Sequence, residues 1–346
     1  MIRAIASLAL VALAALVLAA CGSSDDDDSS TSSGSASTGA ATTGGGEAAA
    51  GDRARKSYKI ALITNEESSF YITLNAGAQA EAERLGVEVD WQAPRTPDLP
   101  SQTATLQSVL ARRPDGVLMT AVDRTGMVAP IRQLQSQRIP VIMLDSDVAD
   151  RSVRMAFIGT NNEAAGRLAA ETMDGLLDGR GKVAYEGYVP GIESVDQREA
   201  GWRAGLADFP GLESVGQTYD RGDLADVAAN VNGLLRRNSD LGGIFASWTN
   251  AAIGTAQAVQ NAGKTDDVNV VAMDADQQEV TLLRTGAIDA LVVQQVFTAG
   301  ELGVRQMVEY LENGTRPTDT LLDPVIATRD NVDDEEIRKL LYRAAE

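Results

Sequence analysis

"YKIALITNEESSFYITLNAGAQAEAERLGVEVDWQ", residues 58–92, decides the fold class. Its first seven residues, 58–64, are mostly β-branched and apolar, as a buried strand requires. Residues 70–86 then carry apolar side chains at helical spacing and stop at a glycine, where a helix commonly ends. "VEVDWQ", 87–92, returns to strand character. Strand, helix and strand within 35 residues imply a right-handed crossover and a parallel sheet.

The alternation continues to the end of the chain. Helices are expected over 99–112 and 125–138, with strands at 115–121, 140–146 and 154–160. A second series follows: helix 162–178, strand 182–188, helix 195–208, strand 212–219, helix 223–237, strand 242–247, helix 250–262, strand 268–274, helix 276–285, strand 287–295 and helix 299–313. A short strand near 324–328 and an acidic-to-basic helix at 333–345 close it. So many strands strain a single open sheet, and two sheets of five or six accommodate them better. The expected fold is therefore α/β, with two doubly wound parallel-sheet lobes. Ligands of such sheets sit beyond the carboxyl ends of the strands, so facing lobes would enclose a cleft.

Upstream, the sequence changes character. Arg3 precedes an apolar run from Ile5 to Ala20, shorter than the roughly 20 residues of a membrane-spanning helix. This fits a secretion signal ending in small residues. Cys21, the only cysteine, follows directly in Leu18-Ala19-Ala20-Cys21. That stretch resembles the bacterial lipoprotein box, which implies lipidation of Cys21, the alternative being a true membrane anchor with an inert thiol. Residues 22–51 are almost entirely Ser, Thr, Gly, Ala and Asp and cannot bury enough surface to fold. A flexible tether of about 30 residues reaches roughly 30 Å. The expected division is thus a signal at 1–20, a lipidated, disordered linker at 21–56, a first lobe of 57–159 plus 296–322, and a second lobe of 160–295 plus 323–346. Crossings between lobes are expected near Thr160, Gln295 and Asp323.

Composition narrows the function. With 49 acidic and 30 basic residues the net charge is −19, which argues against a nucleic-acid partner. No histidine is present, which removes the usual general base and most zinc sites. "AGKTDD", 262–267, lacks the earlier glycine of a P-loop and reads as a turn. No dinucleotide fingerprint follows the first strand. Neither a metal nor a cofactor is expected.

The strand ends supply the candidates. After the first strand, Ser68 or Ser69 suits a helix cap, and Phe70 and Tyr71 cannot both face the core, so at least one points to a ligand. Asp145, Ser146 and Asp147 end one strand, Asp274 another, and Gln294-Gln295 a third. Trp248 follows the strand 242–247. Its flat face and hydrogen-bonding edge suit a sugar ring, with core packing as the alternative, and Asn250 suits a helix cap or a ligand. Trp202 lies on a helix and reads as core, and Trp91 as strand packing or cleft rim.

Several segments resemble the ribose-type periplasmic sugar-binding proteins of ABC importers: "FYITLNAGAQAEAERLGV", "IPVIMLDSD", "FIGTNNEAAGRLAAETM", "QREAGWRAGL", "GGIFASWTNAAIGTAQAVQNAG" and "VVAMDADQQEV", in the family's order. The resemblance covers residues 57–332. It implies a type I periplasmic binding protein fold with a three-crossing hinge, and it gives Phe70 and Tyr71 the role of bracketing a sugar. It also implies ligand contacts for Asp145, Arg198, Asp274 and Gln294. Ser68 stands where the family has asparagine, Ser146 and Asp196 where it has arginines, and Trp248 where it has asparagine. The expected protein is a monomeric, extracytoplasmic lipoprotein, not an enzyme, that hands a sugar or sugar alcohol to an importer permease. Alternatives are a sensor feeding a membrane kinase or chemoreceptor, and a receptor for a cationic ligand such as an amino sugar. A repressor would need an N-terminal helix-turn-helix in place of the tether. A glycosidase would have to use Asp145 and Asp147 as its acid and base.

Overall fold

The computed structural model describes residues 57–343. The expected leader, Cys21 and linker lie outside the described residues, as does the end of the closing helix.

The chain forms β1 (Lys59–Ile63), α1 (Ser69–Leu85), β2 (Glu88–Gln92), α2 (Leu99–Ala111), β3 (Gly116–Met119), α3 (Val128–Ser136), β4 (Val141–Leu144) and β5 (Ala156–Thr160). Then come α4 (Asn162–Leu176), β6 (Gly181–Gly187), α5 (Glu193–Asp208), β7 (Leu212–Tyr219), α6 (Leu224–Arg237), β8 (Leu241–Ala246), α7 (Thr249–Asn261), β9 (Asn269–Met273), α8 (Gln277–Thr285) and β10 (Ala290–Val293). The last elements are α9 (Val296–Asn313), β11 (Thr320–Leu322), β12 (Val325–Thr328) and α10 (Glu335–Arg338).

These strands make two six-stranded sheets with the same internal order. The first runs β2-β1-β3-β4-β5-β11 and the second β7-β6-β8-β9-β10-β12. All neighbours are parallel except β12, which runs antiparallel to β10. Central strands β3, β4 and β10 are buried along their whole length. Helices cover both faces of each sheet, which explains why these strands are continuously apolar rather than alternating. The chain passes between the sheets after Thr160, again after Val293, and a third time between Leu322 and Val325. The passing segments hold one another: Asn161 Nδ2 donates to Asp323 Oδ1 at 2.8 Å, and Gln295 Nε2 donates to the Asp323 carbonyl at 2.8 Å.

Each lobe borrows a helix across these passages. Helix α4 leaves the first sheet but packs on α5 of the second lobe, and α9 leaves the second sheet but packs on α1 of the first. Both pairs approach through glycine. A Cβ at Gly77 on α1 would lie 2.0 Å from the Phe297 carbonyl oxygen, and one at Gly300 on α9 would lie 2.1 Å from that of Leu74. On the other pair, Gly166 meets the Arg198 carbonyl and Gly201 that of Glu163, each at 2.1 Å.

Some elements depart from the sequence expectation. The strand expected at 287–295 shortens to β10, and the helix expected from 299 begins at Val296. Strand β11 was not anticipated, since its three residues carry no pattern of their own and exist through pairing with β5. The closing helix is only the single turn α10. Beyond it the chain leaves helical bonding, and Tyr342 N–H donates to the Ala275 carbonyl at 3.0 Å.

Candidate functional site

The matching sheet orders put β4 and β9 in equivalent places, and each ends in an aspartate. Asp145 follows β4 with φ 58°, and Asp274 follows β9 with φ 86°. Such left-handed backbone is costly for a non-glycine residue and collects at functional sites. Both turns are held from the next strand: Asp145 N–H donates to the Ile158 carbonyl at 2.9 Å and Asp274 N–H to that of Val292 at 3.1 Å. The carboxylates project from opposite lobes toward the same cleft, close enough that the Asp274 charge raises the cost of ionising Asp145.

Around Asp145 the first lobe builds a polar cluster. Tyr71 Oη donates to Asp145 Oδ2 at 3.1 Å, and Ser146 Oγ donates to the same oxygen at 2.8 Å. Asn65, at the end of β1, donates to the Tyr71 hydroxyl at 3.0 Å and accepts from Gln102 Nε2 at 3.0 Å and Thr120 Oγ at 2.7 Å. Burial pushes the Asp145 carboxyl above its ordinary value, against the hydrogen bonds from Ser146 and Tyr71 and the charge of Arg198. Burial, then the neighbouring Asp145 charge, holds the Tyr71 phenol protonated far above its usual range.

The second lobe answers with Asp274, Arg198 and Trp248. Gln294 Nε2 donates to Asp274 Oδ1 at 2.5 Å, and Thr249 Oγ donates to Oδ2 at 3.1 Å. Arg198 is buried and donates from Nε to Asn162 Oδ1 at 2.8 Å and from Nη1 to the Ser247 carbonyl at 2.9 Å. A guanidinium carries five N–H donors, and these two bonds use two of them. The Trp248 indole N–H donates to Asp220 Oδ2 at 2.9 Å, and its ring lies 4.8 Å from that of Tyr188. These two half-buried rings, tilted by 54°, form a partly exposed aromatic pair at the ends of β6 and β8.

Not every expected residue points inward. Asp196 is exposed and caps its own loop by accepting from the Gly191 N–H at 2.9 Å, while the next residue, Gln197, lines the cleft. Asp147 lies at the cleft wall, but both of its oxygens are gripped by Arg154 at 2.8 and 2.7 Å, and Arg154 also holds Asp319. Its acceptors serve an ion pair. Ser68 occupies the position before α1 without a side-chain cap bond, and Ser69 reaches across to Asp276 Oδ2 at 2.9 Å. Helix α7 begins one residue before Asn250, whose amide instead donates to the Gly222 carbonyl at 3.3 Å. Tyr71 is 7% exposed and meets the cleft through its hydroxyl, whereas Phe70 stays half-buried. Trp202 is core at 1% exposure. Trp91 is tied to Thr64 Oγ at 3.0 Å beside the first strand end.

Sequence reasoning missed Asn65, Asn162, Tyr188, Asp220 and Tyr342. The strand-end rule could have found Asn65, Tyr188 and Asp220, since they stand within two residues of the ends of β1, β6 and β7. Tyr342 carried no such signal.

Among the described residues, side-chain bonds join the lobes on both flanks of the cleft. Ser69 bonds Asp276 on one flank, and Arg124 pairs with Glu193 at 3.0 Å on the other. On the second flank a cavity of about 810 Å³ opens, bounded by Asn65, Asp145, Asn162 and Gln197 among others. Thr160 Oγ donates to Gln294 Oε1 at 2.5 Å and closes the hinge side.

Two lobes, three passages and converging strand ends define a hinged binding protein. The chain belongs to the periplasmic binding protein family, whose domain matches residues 60–315. It is similar to the D-allose-binding periplasmic protein of Escherichia coli, at 27% identity over 80% of this chain and 93% of that relative. Among solved structures it is similar to an ABC transporter solute-binding protein from Agrobacterium vitis bound with α-D-tagatopyranose. There the TM-score is 0.76 and the identity 28%, over 83% of this chain and all of that one. An arabinose-binding protein from Geobacillus stearothermophilus matches with a TM-score of 0.76 and 27% identity, over 80% of this chain and 98% of that one.

Proposed function

We propose that this protein is an extracytoplasmic receptor that captures a sugar or sugar alcohol in the cleft and delivers it to an ABC importer. The observation that carries this reading is the pair of strand-end aspartates, one from each lobe, beside Phe70 and Trp248. Carboxylates accept hydroxyl hydrogen bonds, and aromatic faces suit the C–H face of a sugar ring. Asp145, Ser146, Arg198, Asp274 and Gln294 would set hydroxyl directions, with Ser68 and Asn250 at the margin. Relatives named for allose and arabinose, and a neighbour holding tagatose, favour a monosaccharide. The importer role follows the solute-binding proteins it resembles. Lipidation at Cys21, a tethered monomer and a place outside the cytoplasmic membrane complete the proposal.

A cationic ligand such as an amino sugar is the second reading. It is favoured by the carboxylates of Asp145 and Asp274, which face the cleft from opposite lobes. Calorimetry with pentoses, hexoses, polyols and amino sugars tests both. Heat from a neutral sugar supports the first, heat only from the amino sugars supports the second, and silence across the panel refutes both.

A further inference from the structure

The C-terminal segment does something that neither sheet requires. After α10 the chain enters the gap between the lobes, and Tyr342 is only 6% exposed there. Its N–H donates to the Ala275 carbonyl at 3.0 Å and its hydroxyl to Asp274 Oδ1 at 2.9 Å, both in the second lobe. Its ring meets Phe70 of the first lobe edge-on, with centroids 5.5 Å apart and planes at 87°. The next N–H, of Arg343, donates to Thr73 Oγ on α1 at 2.8 Å.

This arrangement repeats the one in the first lobe. Tyr71 also meets Phe70 edge-on, at 5.1 Å and 84°, and its hydroxyl also donates to a strand-end aspartate. Phe70 therefore carries two tyrosines, and each reaches the aspartate of a different lobe. One tyrosine comes from α1, and the other arrives from the far end of the chain.

We infer that Tyr342 is a specificity-determining positioning residue of the cleft, one that fixes Asp274 and Phe70 and occupies one acceptor direction of Asp274; this rests on the reading of the cleft as a sugar site. A carboxylate offers about four lone-pair directions. Gln294 and Tyr342 both use Oδ1 of Asp274, and Thr249 uses Oδ2. Asp274 is thereby left to accept one guest hydroxyl. Asp145 differs, because Tyr71 and Ser146 share its Oδ2 and leave Oδ1 clear for two. Removing the Tyr342 hydroxyl returns a direction to Asp274 and favours sugars that present a second hydroxyl there.

The test is calorimetry on the purified full-length protein in detergent micelles, using D-ribose, D-allose, D-arabinose and their monodeoxy analogues. Tyr342→Phe keeps the ring and is expected to change the affinity ratio of at least one sugar to its deoxy analogue about tenfold, the size of one hydrogen bond. Its thermal midpoint is expected to stay near that of wild type. Tyr342→Ala also removes the ring and is expected to weaken every sugar. Ratios within twofold of wild type in both variants overturn the inference, whether the affinities are unchanged or uniformly lower, because a mere brace moves all sugars alike. Asp274→Ala separates the two levels. If it abolishes binding while the Tyr342 ratios stay fixed, only this inference falls. If it binds like wild type, or wild type binds none of the sugars, the sugar-site reading falls and takes the inference with it.

Discussion

Asp274 and Arg198 are the residues on which binding should turn. Each is buried in the second lobe, and the proposed sugar site draws a hydrogen bond from each. Hydrogen bonds to charged groups contribute about 1.5–3 kcal/mol. Asp274→Asn or Arg198→Ala is therefore expected to weaken sugar binding roughly 10- to 100-fold in titration calorimetry, with little change in far-UV circular dichroism. Asp196→Ala and Asp147→Asn make the contrast. Asp196→Ala should leave affinity within about twofold, since that carboxylate faces its own loop. Asp147→Asn should lower the thermal midpoint instead, because it leaves the buried Arg154 short of a charge partner.

Glu186 offers a pH test at the same scale. It is fully buried on β6, accepts from Asn230 Nδ2 at 2.9 Å and from the Thr218 hydroxyl, and burial pushes its carboxyl up to about 7 from an ordinary value of 4.5. The folded state thus favours the protonated acid. That stability is fully present below about 4.5 and is lost as pH rises through about 7, a change of about 3 kcal/mol by linkage. Glu186→Gln should flatten the fall in urea midpoint between pH 5 and pH 8. A slope identical to wild type would place the titration elsewhere.

At the scale of elements, the glycine contacts between α1 and α9 are the most exacting feature. Gly77→Ala or Gly300→Ala puts a methyl group into a carbonyl oxygen at 2.0–2.1 Å. The helices must separate, at a cost of about 1–3 kcal/mol or more, readable as a lower thermal midpoint. These contacts show what the sequence could and could not disclose. The order of strands and helices was legible because each buried strand is uninterrupted and each helix repeats its apolar face. The strand-end places of Asp145, Asp274 and Gln294 were legible because each directly follows an uninterrupted apolar strand. Which side of a short loop a residue faces was not legible. Asp196 and Gln197 are neighbours with opposite orientations, and only the helix register of α5 separates them. Tyr342 was hidden more deeply, since its place depends on Ala275 and Phe70, far away in sequence.

For the whole molecule, the lobes meet through few cross-cleft bonds. The Arg124–Glu193 pair is half-exposed on both sides and is worth about 0–1 kcal/mol. Glu193→Ala should reduce sugar affinity no more than about fivefold and should weaken its dependence on salt between 20 and 300 mM, as charge screening requires. An effect of a hundredfold would mean that this pair, and not the inner cluster, governs closure.

The helix exchange between lobes bears on how such a chain comes into being. A ribosome releases β1 to β5 first, yet the helix that seals their open face, α9, follows only after five of the six strands of the second sheet. The N-terminal portion must therefore wait, unsealed, while more than a hundred further residues emerge. Completion of the early half is thus deferred to a helix made after most of the chain.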